Sequence, residues 1–186
     1  MILAMKVTIG VMGASRVPNT LVEQAAQRLG SLIAARGAVL ITGATVGLPF
    51  AAAKGAKEAG GQVLGFSPAL NQEEHLRLGL PLTDHDLIIY TGFSFKGRNL
   101  LNVRASHDII FIGGSMGALN EFTIAYDEEK IIGILEGSGG FCDHLQEWME
   151  SMAKPGNRAV VHYSNDSSRL VDQVIESVRI QYPDLE

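Results

Sequence analysis

The sequence predicts an α/β protein of the Rossmann-like, doubly wound type, with about seven mainly parallel strands and helices on both faces of the sheet. Short apolar runs alternate with helix-length amphipathic segments from end to end, which is the rhythm of repeated βα units. Glycine clusters stand where strands give way to helices, at Gly13, Gly43 and Gly113 to Gly117. The 186 residues carry no composition shift or linker, so one domain spanning 1–186 is expected.

Lys6 to Met12 reads as the first strand. Thr20-Leu21-Val22-Glu23 reads as a capping box opening a helix whose apolar positions Leu21, Ala25, Leu29, Leu32 and Ile33 share one face. Gly37 can close that helix in the left-handed conformation. Ala38 to Thr42 is the second strand, followed by a helix from about Gly47 to Lys57, the stop Gly60-Gly61, and a strand Gln62 to Phe66 halted by Ser67-Pro68. Asn71 to Leu78 reads as a short capped helix. A strand Asp86 to Tyr90, a helix from about Lys96 to Ala105, a strand Asp108 to Ile112 and a helix beginning near Gly117 come next. Lys130 to Leu135 is a strand, and Gly137-Ser138-Gly139-Gly140 a flexible loop before a helix around Trp148. Lys154-Pro155-Gly156 breaks that helix, and the chain closes with strand Ala159 to Tyr163 and helix Ser168 to Val178.

Composition excludes several function classes. The net charge of −5 offers no electropositive footprint for a phosphodiester backbone, so nucleic acid is not an expected partner. Cys142 is the single cysteine, which rules out an intramolecular disulfide and a thiolate zinc cluster. His75, His85, His107 and His162 show no ligand spacing and are expected at the surface or at strand ends; neither a metal nor a cofactor is expected. Cys142 and His144 suit a helix start better than a nucleophile pair. The segment Met1 to Met5 is too short for a signal core, and no apolar run approaches the ~20 residues needed to cross a bilayer. A cytoplasmic protein without a membrane partner is expected.

In an open parallel sheet, ligands bind where loops leave the carboxyl ends of the strands. The loop Gly113-Gly114-Ser115-Met116-Gly117 is the most informative, because glycines let main-chain N–H groups turn inward and the following helix adds its positive end, together making an anion seat. Glu121, one turn into that helix, stands too far from the seat to repel a phosphate and near enough to face a sugar. Arg98 lies 23 residues before it, about one βα repeat, so both side chains are expected at the same sheet edge, with neighbouring strands ~4.8 Å apart if the two are adjacent.

Gly97-Arg98-Asn99 and Gly113-Gly114-Ser115-Met116-Gly117-Ala118-Leu119-Asn120-Glu121 resemble the signature Pro-Gly-Gly-x-Gly-Thr-x-x-Glu of the Lonely Guy family and its Rossmann-like relatives. Thr42-Gly43 through Gly47-Leu48, Lys54-Gly55-Ala56 and Ala59 through Gly65 extend the likeness over most of residues 6 to 135. The resemblance implies a phosphoribohydrolase that splits AMP or a cytokinin riboside 5′-monophosphate into base and ribose 5-phosphate. It aligns Arg98 and Glu121 with the family's catalytic pair, and Gly113, Gly114, Ser115, Met116, Gly117 and Ala118 with its phosphate loop. Gly13, Ala14, Ser15, Gly43 and Asn99 are expected to border the nucleotide. The sequence departs from the pattern where Gly113 replaces proline, Ser115 a glycine, Ala118 a threonine and Asn99 a lysine. Molybdenum cofactor carrier proteins carry a closely similar motif, so a carrier or sensor of a phosphorylated ligand stands beside the hydrolase. The label "lysine decarboxylase" used in this group finds no Ser-x-His-Lys pyridoxal site here. The resemblance also implies a homodimer or a higher even-numbered assembly; Trp148, Met149 and Met152, on an amphipathic helix, read first as a partly buried core face and second as a dimer contact.

Overall fold

The computed structural model describes residues 5–185, so the first four residues and the last, including most of the segment weighed above as a signal core, lie outside it. Its elements are β1 (Thr8–Gly13), α1 (Thr20–Ala35), β2 (Val39–Thr42), α2 (Leu48–Glu58), β3 (Val63–Ser67), α3 (Gln72–Arg77), β4 (Leu87–Tyr90), α4 (Ser94–Ala105), β5 (Asp108–Ile112), α5 (Met116–Asp127), β6 (Ile131–Leu135), α6 (Leu145–Met152), β7 (Val160–Ser164) and α7 (Ser167–Gln181). The seven strands form one sheet in the order β4-β3-β2-β1-β5-β6-β7. Every pairing is parallel, where the sequence reading allowed a mixed sheet.

Strand order reverses between β1 and β5, which opens a crevice at their carboxyl ends. Gly13 is level with Ile112 across that pair, so the loops after both strands start at one height. Strand β5, beside the central strand β1, is buried along its whole length, and its side chains alternate between two cores. Ile110 and Ile112 join Val11, Leu29, Leu48 and Val174 under α1, α2 and α7, whereas Ile109 and Phe111 join Val103, Phe122 and Leu145 under α4, α5 and α6.

Four expectations need correction. Helix α1 is capped by Asn19, whose side chain accepts from the amide of Val22; N3 is then Val22 rather than Glu23, so a simple Asn cap replaces the box read at Thr20. Its buried stripe is Val22, Ala26, Leu29, Gly30 and Ile33, and this register turns Leu21 to solvent at 77% exposure. The segment after β6 is not wholly loop: a single 3-10 turn over Gly140–Asp143 drives Phe141 into the second core. His75 is a fully buried side chain, held between Ser67 Oγ (2.8 Å) and the carbonyl of Pro81 (2.9 Å). Lastly, β4 and β5 are not neighbours, since three strands separate them. Helix α4 therefore crosses back over the sheet to reach β5, and that crossing carries Arg98 to α5.

Candidate functional site

The crevice holds a cavity of about 170 Å³ lined by Gly13, Ser15, Thr45, Phe95, Lys96, Arg98, Asn99, Ser115, Gly117, Ala118 and Glu121. Of the residues singled out in the sequence, Arg98, Glu121, Ser115, Gly117, Ala118, Gly13, Ser15 and Asn99 meet there. Met116 stands exposed next to it in sequence. Gly113, Gly114, Ala14 and Gly43 serve from behind. The amide of Gly113 is spent on Ser138 Oγ at 2.7 Å, and Gly114 gives its carbonyl to the amide of Phe141 at 3.2 Å. The carbonyl of Ala14 accepts from Leu48, stitching the end of β1 to α2. Gly43 lies against the guanidinium of Arg98, where any Cβ would overlap it.

At the floor of the cavity Arg98 Nη1 donates to Glu121 Oε1 at 3.3 Å, with only 7% and 6% of the two residues exposed. Asn102 Nδ2 donates to the same oxygen at 2.8 Å. Burial pushes the Glu121 carboxyl above its ordinary range, while the Arg98 charge and the Asn102 hydrogen bond oppose that rise. Arg98 Nε and Asn102 Oδ1 are buried without any partner. Replacing a buried ion pair by well-packed apolar residues is often neutral or stabilising, so this pair is poorly explained by stability. A guanidinium with an unused donor, beside a carboxylate whose second oxygen is uncommitted, is equipped to meet a ligand.

The wall above is the start of α5. Its N-cap Ser115 makes no side-chain cap, and no acidic residue sits in its first turn. By contrast α1, α3 and α7 are capped by Asn19, Asn71 and Asp166. The main-chain amides of residues 116–118 thus keep their donors, with the positive end of the helix behind them. Helix α4 likewise begins without a side-chain cap, beside Phe95 and Lys96. Asn99 lines the cavity with its Nδ2 tied to Asn120 Oδ1 at 2.8 Å.

Sequence reasoning missed Asn102 and the role of Gly43. The signal for Asn102 was its i, i+4 spacing from Arg98, which places both on one face of a helix. For Gly43 no local signal existed, because its neighbour arrives from α4. Cys142 is buried, and burial pushes its thiol up to about 12, which removes it as a nucleophile. Among the described residues no cluster of three or more His, Cys, Asp or Glu side chains could hold a metal ion, and no helix is long and apolar enough to cross a membrane.

Residues 6–171 match the model of the SLOG cluster4 family. The chain belongs to that family. An uncharacterized protein of Archaeoglobus fulgidus is 35% identical over 128 residues, covering 69% of this chain and 79% of that one. Among solved structures, the molybdenum cofactor binding protein of Rippkaea orientalis is 31% identical with a TM-score of 0.77, covering 93% of this chain and 97% of that one. The molybdenum cofactor carrier protein of Chlamydomonas reinhardtii is 27% identical with a TM-score of 0.74, covering 92% and 97%. SLOG cluster4 membership and these likenesses agree with the Rossmann-like architecture described above.

Proposed function

We propose that this SLOG-family protein binds a nucleoside 5′-monophosphate in the crevice between β1 and β5 and hydrolyses its N-glycosidic bond, as the resemblance to Lonely Guy enzymes implies. The observation that carries the reading is the buried Arg98–Glu121 pair beneath the uncapped start of α5. Free amides of residues 116–118 suit a phosphate, and Glu121, one turn further on, then faces the ribose rather than the anion. Rupture of the C1′–N bond develops positive charge on the sugar, which a carboxylate stabilises. The uncommitted Oε2 of Glu121 is also positioned to take a proton from water as its oxygen bonds to C1′. The departing base gains a proton from solvent, and Arg98 steadies the charge that grows on it. Holding the phosphate fixes the sugar for attack.

The second reading is a carrier or sensor that holds a phosphorylated ligand without cleaving it. It is favoured by the likeness to cofactor-binding and carrier proteins at 31% and 27% identity. Ala118 supports it too, because a threonine hydroxyl there would add a hydrogen bond to the phosphate, a contribution of about 1.5 to 3 kcal/mol to a charged acceptor.

Incubation with AMP and related 5′-monophosphates, separating free base from ribose 5-phosphate, distinguishes the two. Release of base by the wild type that disappears in Glu121→Gln is the expected result. Tight binding without turnover in either protein would leave the carrier. Adenosine binding as well as AMP would refute the phosphate seat itself. We further propose an even-numbered homo-oligomer, since Leu87 and Ile89 on the edge strand β4 are 59% and 39% exposed. Sedimentation showing a monomer at micromolar concentration would refute it.

A further inference from the structure

We infer that Asn102 is a positioning residue for Glu121: it ties down Oε1 and so leaves Oε2 as the oxygen that meets the ligand. The inference rests on the reading that Glu121 works on a ligand in this cavity, and it adds a residue that the family signature does not contain.

Helix α4 is built the wrong way round for a structural helix. Its buried residues include Arg98, Asn99 and Asn102, while Leu100 and Leu101 are only half-buried. Asn102 is completely enclosed, and its Oδ1 has no hydrogen-bond partner, which a leucine at the same place would avoid. Something must offset that loss. The hydrogen bond from Ser106 Oγ to this residue, at 2.8 Å, goes to the main-chain carbonyl, which any amino acid supplies. The side chain itself has two neighbours through Nδ2: the Met12 sulfur at 3.8 Å, a weak acceptor, and Glu121 Oε1 at 2.8 Å. The second is the only strong contact, and it is shorter than the 3.3 Å reach from Arg98 to the same oxygen. Two donors converge on Oε1, and none from the described residues on Oε2.

The surroundings leave few other groups to do this. Facing Glu121 are Arg98 from its own neighbour α4, with Lys96 further out in the cavity wall. Met12 of β1, Gly43 and Thr45 after β2, and Ser115 before α5 bring no charge. A hydrogen bond donated to a carboxylate favours its ionised form, so Asn102 works with Arg98 to keep Glu121 charged despite its burial.

The test reads the Glu121 carboxyl directly, by carbon-13 NMR titration of protein labelled at the glutamate side chains, with Glu121→Gln assigning the resonance. Asn102→Leu keeps size and removes the donor; the midpoint of Glu121 is expected to rise by about one to two pH units. Asn102→Asp places a second carboxyl against Oε1, and the two are expected to titrate as a coupled pair in two steps. A Glu121 midpoint unmoved in either folded variant overturns the inference. With AMP as substrate, the acid limb of kcat is expected to move by the same interval in Asn102→Leu while KM changes little; loss of activity with an unshifted limb also overturns it. If no monophosphate is cleaved, the hydrolase reading fails and the titration still decides the part played by Asn102.

Discussion

Gly43 shows how a residue outside the cavity governs what happens inside it. The guanidinium of Arg98 lies where a Cβ on Gly43 would be, so the plane of that group is set by the main chain of the loop after β2. That loop is itself held: Ala44 has a positive φ of 49°, and its amide donates to Thr42 Oγ1 at 3.1 Å. Thr42 Oγ1 is in turn bonded to His85 Nε2 at 2.9 Å, while His85 Nδ1 donates to the carbonyl of Thr83 at 2.8 Å, which makes Nε2 the acceptor of the neutral ring. The loop cannot easily yield, so in Gly43→Ala it is Arg98 that must move. Ligand affinity or turnover is expected to fall on the order of tenfold to a hundredfold, with little change in melting temperature. Isothermal titration and a thermal melt of the same sample check this; unchanged affinity would mean that Arg98 takes no part in binding.

Among the elements, α1 and α2 are the pair most dependent on small residues. A Cβ on Gly30 would strike the carbonyl oxygen of Ala52, and one on Gly55 the carbonyl oxygen of Gln27, so the two backbones approach closely at a crossing that neither glycine can vacate. Gly30→Ala is expected to lower stability by about 1 to 3 kcal/mol, because the clash is with backbone rather than a flexible side chain; a chemical denaturation midpoint equal to the wild type would refute that packing account. The elements themselves were readable from sequence, since alternation and glycine stops mark strands and helices through local rules. That Arg98 and Glu121 reach the same sheet edge was readable too, from a glycine loop and a 23-residue spacing. What could not be read was how α4 lies. The 23-residue spacing left open whether the preceding strand stood beside β5; β4 is at the far edge, and the helix makes the crossing. Asn102, found only in the structure, and the contact that Gly43 makes with Arg98 both depend on that crossing, and Leu21 was misassigned because the stripe that packs inward starts at Val22.

For the whole molecule, the balance of buried acids against histidines sets how stability depends on pH. Burial lowers His85, His107 and His162 below 6.5, so the unfolded chain binds protons that the folded chain refuses. Their contribution is complete above 6.5 and is lost as pH falls through the folded values. Asp108 runs the other way. It is fully enclosed at the start of β5 with both carboxyl oxygens unpartnered, and burial pushes it from 3.8 up to about 8, against a pull from Lys130. Lys130 does not pair with it, its ammonium being committed to the carbonyl of Ser106 at 2.6 Å. The folded chain therefore keeps a proton that the unfolded chain gives up, and stability drains away as pH rises from 3.8 toward 8. As pH rises above 6.5 the unfolded chain's histidines lose their remaining protons and fall silent, which leaves Asp108 to set the slope toward pH 8. Asp108→Asn is therefore expected to make that slope shallower and to raise the melting temperature more at pH 8 than at pH 6.5. Parallel melting curves for the two proteins across this interval would show that Asp108 is already ionised in the folded state, in which case an unseen partner must be compensating its charge.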